Sequence, residues 1–312
     1  MKKRILITML IIMMAFSLVA CGSQDSGKEK VVIYSSAEDF RLEHFQKRLN
    51  EQFPDYEIVI EYMATGTHAA KLLAEGTSTE CDIVYDLEYG YMEKLSDIFA
   101  DLSDYDLSIF EDDLIDSEHK YIPEVRNGGC IAVNVDIMEA KGLAMPEKYE
   151  DLLKPEYQGL ISMPNPKSSG TGYMFLKNLV NVWGEDKAFE YFDQLAPNIL
   201  QFTSSGSGPV NALRQGEAAI GLAMTAQTVQ EINNGANFEI LFFEEGSPYS
   251  CYGMAMIEGK QTRPAVKEVF DFFYDTLVIE DKELFYPEKI FKDMDFEIEN
   301  YPTEIEYANM SN

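Results

Sequence analysis

The chain has 312 residues, 46% of them hydrophobic, which bounds it to one large domain or two lobes around proper cores. Its formal charge is −29, from 54 acids against 25 Lys and Arg. Such a surface argues against nucleic-acid binding through a basic face, promotes solubility and repels anionic surfaces.

Lys2, Lys3 and Arg4 precede an apolar run from Ile5 to Ser17, followed by Leu18-Val19-Ala20-Cys21. A basic start, a short apolar core and a small-residue cleavage site predict a secretory signal over residues 1–20. The run falls short of the ~20 residues of a comfortable spanning helix. The last four residues resemble the bacterial lipoprotein box. That resemblance implies that Cys21 becomes the lipid-bearing first residue, carrying palmitate-type acyl chains. Residues 21–30, small and polar, then read as a flexible tether. The expectation is a body exported and lipid-anchored at the outer face of a bacterial cell membrane, or in a periplasm.

Lys30–Ser36 reads as a strand. Asp39–Phe53 reads as an amphipathic helix with Phe40, Phe45, Leu49 and Phe53 near one face, ended by Pro54. Tyr56–Met63 is a second strand, Ala69–Ala74 a short helix, Cys81–Asp86 a third strand and Tyr89–Leu95 another helix. Strands alternating with helices imply parallel βαβ units, whose ligand crevice lies beyond the carboxyl ends of the strands. Asp97–Lys120 is acidic and aperiodic, and reads as surface loops and short helices. Tyr121–Val135 reads as an extended crossover.

A second α/β pattern follows: strand Leu160–Met163, helices Tyr173–Trp183 and Lys187–Leu195, a helix opening at Pro209, strand Ala218–Met224, helix Thr225–Asn233 and strand Phe238–Phe243. Ser250–Ile257 reads as the return crossover, Arg263–Val278 as a helix, and an acidic tail closes the chain. Cys81, Cys130 and Cys251 are odd in number and sit in apolar or strand-like stretches, so they read as core thiols. No two lie at metal-ligand spacing, and neither a metal site nor a cofactor is expected.

Tyr34-Ser35-Ser36 after the first strand carries a family resemblance. So do Asn165-Pro166-Lys167-Ser168-Ser169-Gly170-Thr171-Gly172-Tyr173 and the run from Val210 through Gly216-Glu217-Ala218-Ala219-Ile220-Gly221. Together with the export signal and the two α/β halves, they resemble a solute-binding lipoprotein of an ABC importer, in the ferric-iron, thiamine and phosphorylated-solute branch. The resemblance implies an α/β, two-lobed type II periplasmic-binding-protein fold with a central ligand cleft and two crossover strands. Lobe 1 is then residues 31–125 and 250–312, and lobe 2 is residues 126–249. It implies as partners an ABC permease and its ATPase, and a small-molecule or ion ligand, with no nucleic acid. No enzymatic activity is expected.

The glycine-serine loops are either helix caps or an oxyanion site. Helix N-termini carry unmet N–H groups and partial positive charge, Ser and Thr add donors, and Gly lets backbone approach a ligand. Ser168, Ser169, Gly170 and Thr171 form one such set, Ser204, Ser205 and Ser207 a second, and Ser35 and Ser36 a third from the opposite lobe. Thr65 lies in the second strand-to-helix turn, and Thr225 follows the strand Ala218–Met224. Three sets facing one cleft would hold a phosphate or phosphonate. Asp86 and Glu88 end the third strand and either meet an ammonium group or are solvated acids. Tyr249 and Tyr252 are either cleft walls or core aromatics. Arg126, Lys167 and Arg214 are further candidate counter-charges for an anion, and Trp183 reads as packing. His44, His68 and His119 pair with no Ser or Cys in a catalytic pattern and read as surface residues.

The leading ligand is a phosphorylated or phosphonate-type organic anion. Ferric iron is the alternative, and a thiamine- or polyamine-type cation the third. Iron-binding relatives commonly place adjacent tyrosines where this chain has Thr225-Ala226, a departure that counts against iron.

Overall fold

The structure is a computed structural model describing residues 27–310. The expected signal, the Cys21 lipidation site and most of the tether lie outside the described residues. Among the described residues no helix is long and apolar enough to cross a membrane.

The first half opens with β1 (Glu29–Ser35), α1 (Asp39–Gln52), β2 (Tyr56–Tyr62), α2 (Thr65–Glu75), β3 (Ile83–Glu88) and α3 (Tyr89–Lys94). Val31, Val32, Ile33 and Tyr34 are all buried, so β1 is covered on both faces, as an unbroken apolar run in a parallel sheet requires. It pairs in parallel with β2 and β3. α1 turns Phe45 and Leu49 onto the sheet, against Ile33, Ile83, Phe270 and Phe273. The acidic stretch before the crossover holds short 3₁₀ turns at Ser96–Ile98, Leu107–Ile109 and Asp112–Leu114, anchored by buried Leu102, Phe110 and Leu114.

The 13-residue β4 (Ile122–Asn134) then passes into the second half. That half contains α4 (Val135–Lys141), β5 (Ile161–Pro164), α5 (Gly170–Trp183), α6 (Glu185–Leu195), β6 (Ile199–Thr203), α7 (Gly208–Arg214), β7 (Ile220–Met224), α8 (Thr225–Asn233) and β8 (Phe238–Leu241). The chain returns through β9 (Tyr249–Met256) to α9 (Pro264–Phe272), a π-helical turn at Phe273–Leu277 and α10 (Val278–Leu284).

Strand order is β2-β1-β3-β9-β4-β7-β5-β6, with β8 beside β4. β4 serves both halves. Its residues 122–128 pair with β9, and Gly129–Val133 pair with β7. The second core gathers Ile131, Leu152, Met174, Phe175 and Leu222, apart from the first. This is the two-lobed type II periplasmic-binding-protein fold, with β4 and β9 as its crossovers.

Several segments differ from the expected pattern. α2 begins at Thr65, four residues ahead of its first strongly apolar stretch, because the Thr65-Gly66-Thr67 turn is itself helical. α4 and β6 are additional; β6 is an edge strand with mostly exposed residues, so it shows no apolar alternation. The end of the tail, expected with lobe 1, packs on the second core instead. Ala308 and Met310 are buried there, and the Ala308 N–H donates to the Ser247 carbonyl at 2.8 Å.

Candidate functional site

The strand-to-helix turns that open between the halves place polar groups at strand ends, after the buried strands β1, β3 and β5 and after the more exposed β2 and β6. The resulting cleft is narrow, with about 20 Å³ of free space at its centre. From the first half, Ser36 after β1, Thr65 at the start of α2 and Asp86 near the end of β3 line it. From the second, Ser169 and Thr171 at the start of α5 and Ser205 and Ser207 ahead of α7 line it, and Tyr252 on β9 closes the floor.

Other expected residues take different places. Ser35 is buried, and its Oγ accepts the Ala37 N–H at 3.1 Å, closing the turn. Ser168 donates its hydroxyl to the Ser204 carbonyl at 3.1 Å, so the pair ties the two loops together. Gly170 begins α5, where an added Cβ would run into the Tyr252 hydroxyl. Glu88 caps α3 by accepting the Gly90 N–H at 3.0 Å and faces a neighbouring groove; burial pushes its carboxyl up. Thr225 is fully buried at the start of α8 and lies outside the cleft lining.

The expectation of surface histidines fails for His68. It is fully buried, and its Nδ1 lies 3.0 Å from Ser36 Oγ. Helix α2 starts earlier than its apolar pattern indicates and so includes His68, which shares its buried face with Thr65, Ala69 and Leu72. His44 meets Glu280 at 2.9 Å on a part-buried flank. Of the candidate counter-charges, Arg126 pairs with Asp113 and sits over the Tyr249 ring, and Arg214 pairs with Glu231. Tyr249 lies outside the cleft lining and packs against the second core, and Trp183 packs edge-on to Tyr149 and Tyr191.

Gly206 of the second glycine-serine loop lines the cleft too, and Glu38, Tyr62, Ala64, Asn127 and Met224 line it and were not anticipated. Glu38 directly follows the first serine turn and Tyr62 ends β2, so position at a strand end was the available signal. Gly206 has to be glycine, since a Cβ there would strike Thr171 Oγ1.

Behind Glu38 and Asp86 lies Arg41, fully buried on α1. Its guanidinium donates to Glu38 at 3.2 Å, to Asp281 at 2.7 Å, and closely to both Asp86 and Glu124. The Tyr286 ring lies 4.8 Å from it, and Tyr286 donates its hydroxyl to Glu38 at 2.8 Å. Burial opposes the Arg41 charge, but the surrounding carboxylates outweigh it and hold its pKa well up. Asp281 stays low despite burial because Arg41 and Lys282 both face it. Asp86 is pushed well up, first by burial and then by Glu124, against the pull of Arg41. Asp86 has φ 57°, left-handed backbone that Asp tolerates better than most residues. This turn presents an acceptor-rich wall opposite the hydroxyl loops.

Both cleft phenols are pushed up as well: Tyr62 by burial and the neighbouring Asp39, Glu38 and Asp86 despite a hydrogen bond from Ser205, and Tyr252 by burial with Asp86, Glu88 and Glu38. They stand as hydrogen-bond donors rather than phenolates. Cys130 is buried and Cys251 half-buried, and desolvation pushes their thiols up to about 12 and about 11, away from the reactive thiolate. Among the described residues no cluster of three or more His, Cys, Asp or Glu forms a metal site.

Residues 85–284 match the family of bacterial extracellular solute-binding proteins, spanning more than half of the chain. This chain belongs to that family. Solved solute-binding proteins share its fold. The periplasmic binding protein AfuA of Actinobacillus pleuropneumoniae, solved with fructose-6-phosphate, superposes with a TM-score of 0.79 at 23% identity, covering 91% of this chain and 92% of that one. A periplasmic thiamin-binding protein gives 0.72 at 15% identity over 90% and 88%. Iron-bound HitA of Pseudomonas aeruginosa gives 0.69 at 16% identity over 90% and 92%. These identities establish a common fold for solute-binding proteins of differing cargo. The cargo of this one has to be read from its own cleft.

Proposed function

We propose that this solute-binding protein captures a small phosphorylated or phosphonate-type organic anion between its lobes and delivers it to an ABC permease driven by its ATPase. Export by the signal over residues 1–20 and lipid anchoring at Cys21 belong to the same proposal. So does the division into lobe 1, residues 31–125 with 250 onward, and lobe 2, residues 126–249, with the final tail crossing between them. Solute bridging the two walls shifts the open–closed equilibrium, and no bond needs to be made or broken.

The observation that carries this reading is the convergence of six hydroxyl side chains, Ser36, Thr65, Ser169, Thr171, Ser205 and Ser207, on one cleft. Ser169 caps the 14-residue α5, whose first turn faces the same space. Hydroxyls and helix amides together suit an anion's oxygens. Glu38 and Asp86 on the other wall suit the polar body of the solute, through its hydroxyl or ammonium donors. The fructose-6-phosphate bound to AfuA is a solute of this kind. Calorimetric titration with organic phosphates and phosphonates tests the reading, and binding without turnover is the expected result.

Ferric iron remains the second reading, favoured by Tyr62, Tyr252, Glu38 and Asp86 in one cleft. The upward shift of both phenols works against phenolate ligation. Visible colour on adding ferric ion would reverse that judgement.

A further inference from the structure

Ser36 borders the cleft, and behind it stands a histidine with one nitrogen unused. His68 Nδ1 lies 3.0 Å from Ser36 Oγ. Its Nε2 is buried and meets no partner. Burial and the nearby Lys71 ammonium push the ring's pKa down to about 3, so the imidazole is neutral at physiological pH. A neutral imidazole has one N–H and one lone pair.

The two tautomers differ in what they leave unmet. With the proton on Nε2, a buried N–H has no acceptor. With the proton on Nδ1, only a lone pair goes unmet. Orphaned buried N–H groups are rarer in native structures than under-used acceptors. The second arrangement therefore wins, and Nδ1–H donates to Ser36 Oγ. The serine oxygen is then occupied as an acceptor, and its own hydrogen remains to be given. In the other tautomer Ser36 would spend its hydrogen on Nδ1 and show the cleft only lone pairs.

We infer that His68 is a positioning residue that turns Ser36 into a fixed hydrogen-bond donor into the cleft, so that this wall recognises an acceptor atom of the solute. On the reading proposed above, that atom is an oxygen of the phosphate or phosphonate group. Thr65, three residues before His68 on the same helix, also borders the cleft, so the start of α2 offers its hydroxyl beside Ser36. The device adds no charge to the wall. It selects by hydrogen-bond direction, favouring oxyanions over ammonium groups at this point.

The test begins with the ¹⁵N-labelled protein and no solute. Long-range ¹H–¹⁵N correlation at neutral pH reads the tautomer of each imidazole. The His68 ring is assigned with His68→Gln, or by elimination with His44→Gln and His119→Gln should the first variant fold poorly. A proton on Nδ1 supports the inference; a proton on Nε2, or on both nitrogens, overturns it. Inorganic phosphate is then the binding probe for Ser36→Ala, His68→Phe and the double variant. Each single change is expected to weaken phosphate binding about tenfold, with the double no weaker than either single. Additive losses would overturn the inference, because His68 would then act independently of Ser36. An Nδ1–H ring in a protein that binds no phosphate compound would leave the donor assignment standing and remove the phosphate reading.

Discussion

The Gly66 amide donates to the Ser168 carbonyl at 3.0 Å, joining the first turn of α2 to the loop ahead of α5 and thus one lobe to the other. This contact holds the two sides of the cleft together at this point. A Cβ on Gly66 would lie 3.1 Å from Ser168 Cα and 3.2 Å from its carbonyl oxygen. Gly66→Val is therefore expected to shift the protein towards an open form and to weaken solute binding at least tenfold, with the lobes themselves intact. Small-angle scattering in the presence of solute checks this, and full compaction of the variant would contradict it.

The hydroxyl loops should govern affinity. Ser169 and Thr171 changed to Ala, or Ser205 and Ser207 changed to Ala, each remove donors from the second-lobe wall. A hydrogen bond to a charged group is worth roughly 1.5–3 kcal/mol, so each pair should lose about tenfold or more in affinity. Ser169→Ala also removes a cap that accepts the Gly172 N–H at 3.3 Å, at about 1 kcal/mol of stability. Calorimetry alongside thermal unfolding separates the two effects.

Arg41 should be structural as well as positioning. Arg41→Met leaves Glu38, Asp86, Glu124 and Asp281 without their shared cation. Breaking a buried ion cluster from one side costs about 3–5 kcal/mol. The deficit should be smaller at pH 5 than at pH 8, because protonation relieves the unpaired carboxyls. Urea denaturation at both pH values measures it, and an equal deficit at both would rule out uncompensated carboxylates as the cause.

Glu288 gives a pH signature. It is buried where the tail passes Gly128 on β4, accepts the Tyr301 hydroxyl, and keeps Oε2 unpartnered. Burial, against the Tyr301 hydrogen bond, pushes its carboxyl up from 4.5 to about 7. A raised folded pKa means that the folded state binds the extra proton between those values. Its contribution is complete below the unfolded value and is lost as pH rises through the folded one. The wild type should therefore lose up to about 3 kcal/mol relative to Glu288→Gln between the two, at 1.36 kcal/mol per unit. Parallel stability–pH curves for the two proteins would remove Glu288 as the source.

Cys21→Ser should release the exported protein from the membrane fraction. Fractionation with signal processing followed by mass reads this directly. A processed variant still held in the membrane would exclude the lipid anchor at that residue.

The alternation of apolar strands and amphipathic helices made the two halves legible in sequence, because burial on both faces of β1 and β7 demands unbroken apolar runs. The hydroxyl turns at Ser35-Ser36 and Ser168-Ser169 were legible because they follow buried strands, whereas Ser204–Ser207 follows the exposed β6 and was legible only from its own Gly-Ser composition. The Arg41 hub was not. Its partners come from positions 38, 86, 124 and 281, and only the fold brings them to one guanidinium. Asp86 accordingly read as either a partner for a ligand ammonium or a solvated acid, whereas the structure gives it a cation of the protein's own. His68 misled because the expected helix began at Ala69, one residue after it, so its place on the buried face with Thr65, Ala69 and Leu72 was not counted. Position at the end of a strand thus predicts the cleft better than residue type does, as Glu38 and Tyr62 show.

Calorimetric titration of the purified protein with organic phosphates and phosphonates, ferric ion and thiamine tests the central claim most directly. The account predicts tight binding of a phosphorylated or phosphonate-bearing solute, lost in the Ser169→Ala, Thr171→Ala variant, with no comparable binding of the two cations. Tight binding of ferric ion or thiamine, with every phosphate compound inert, would contradict it.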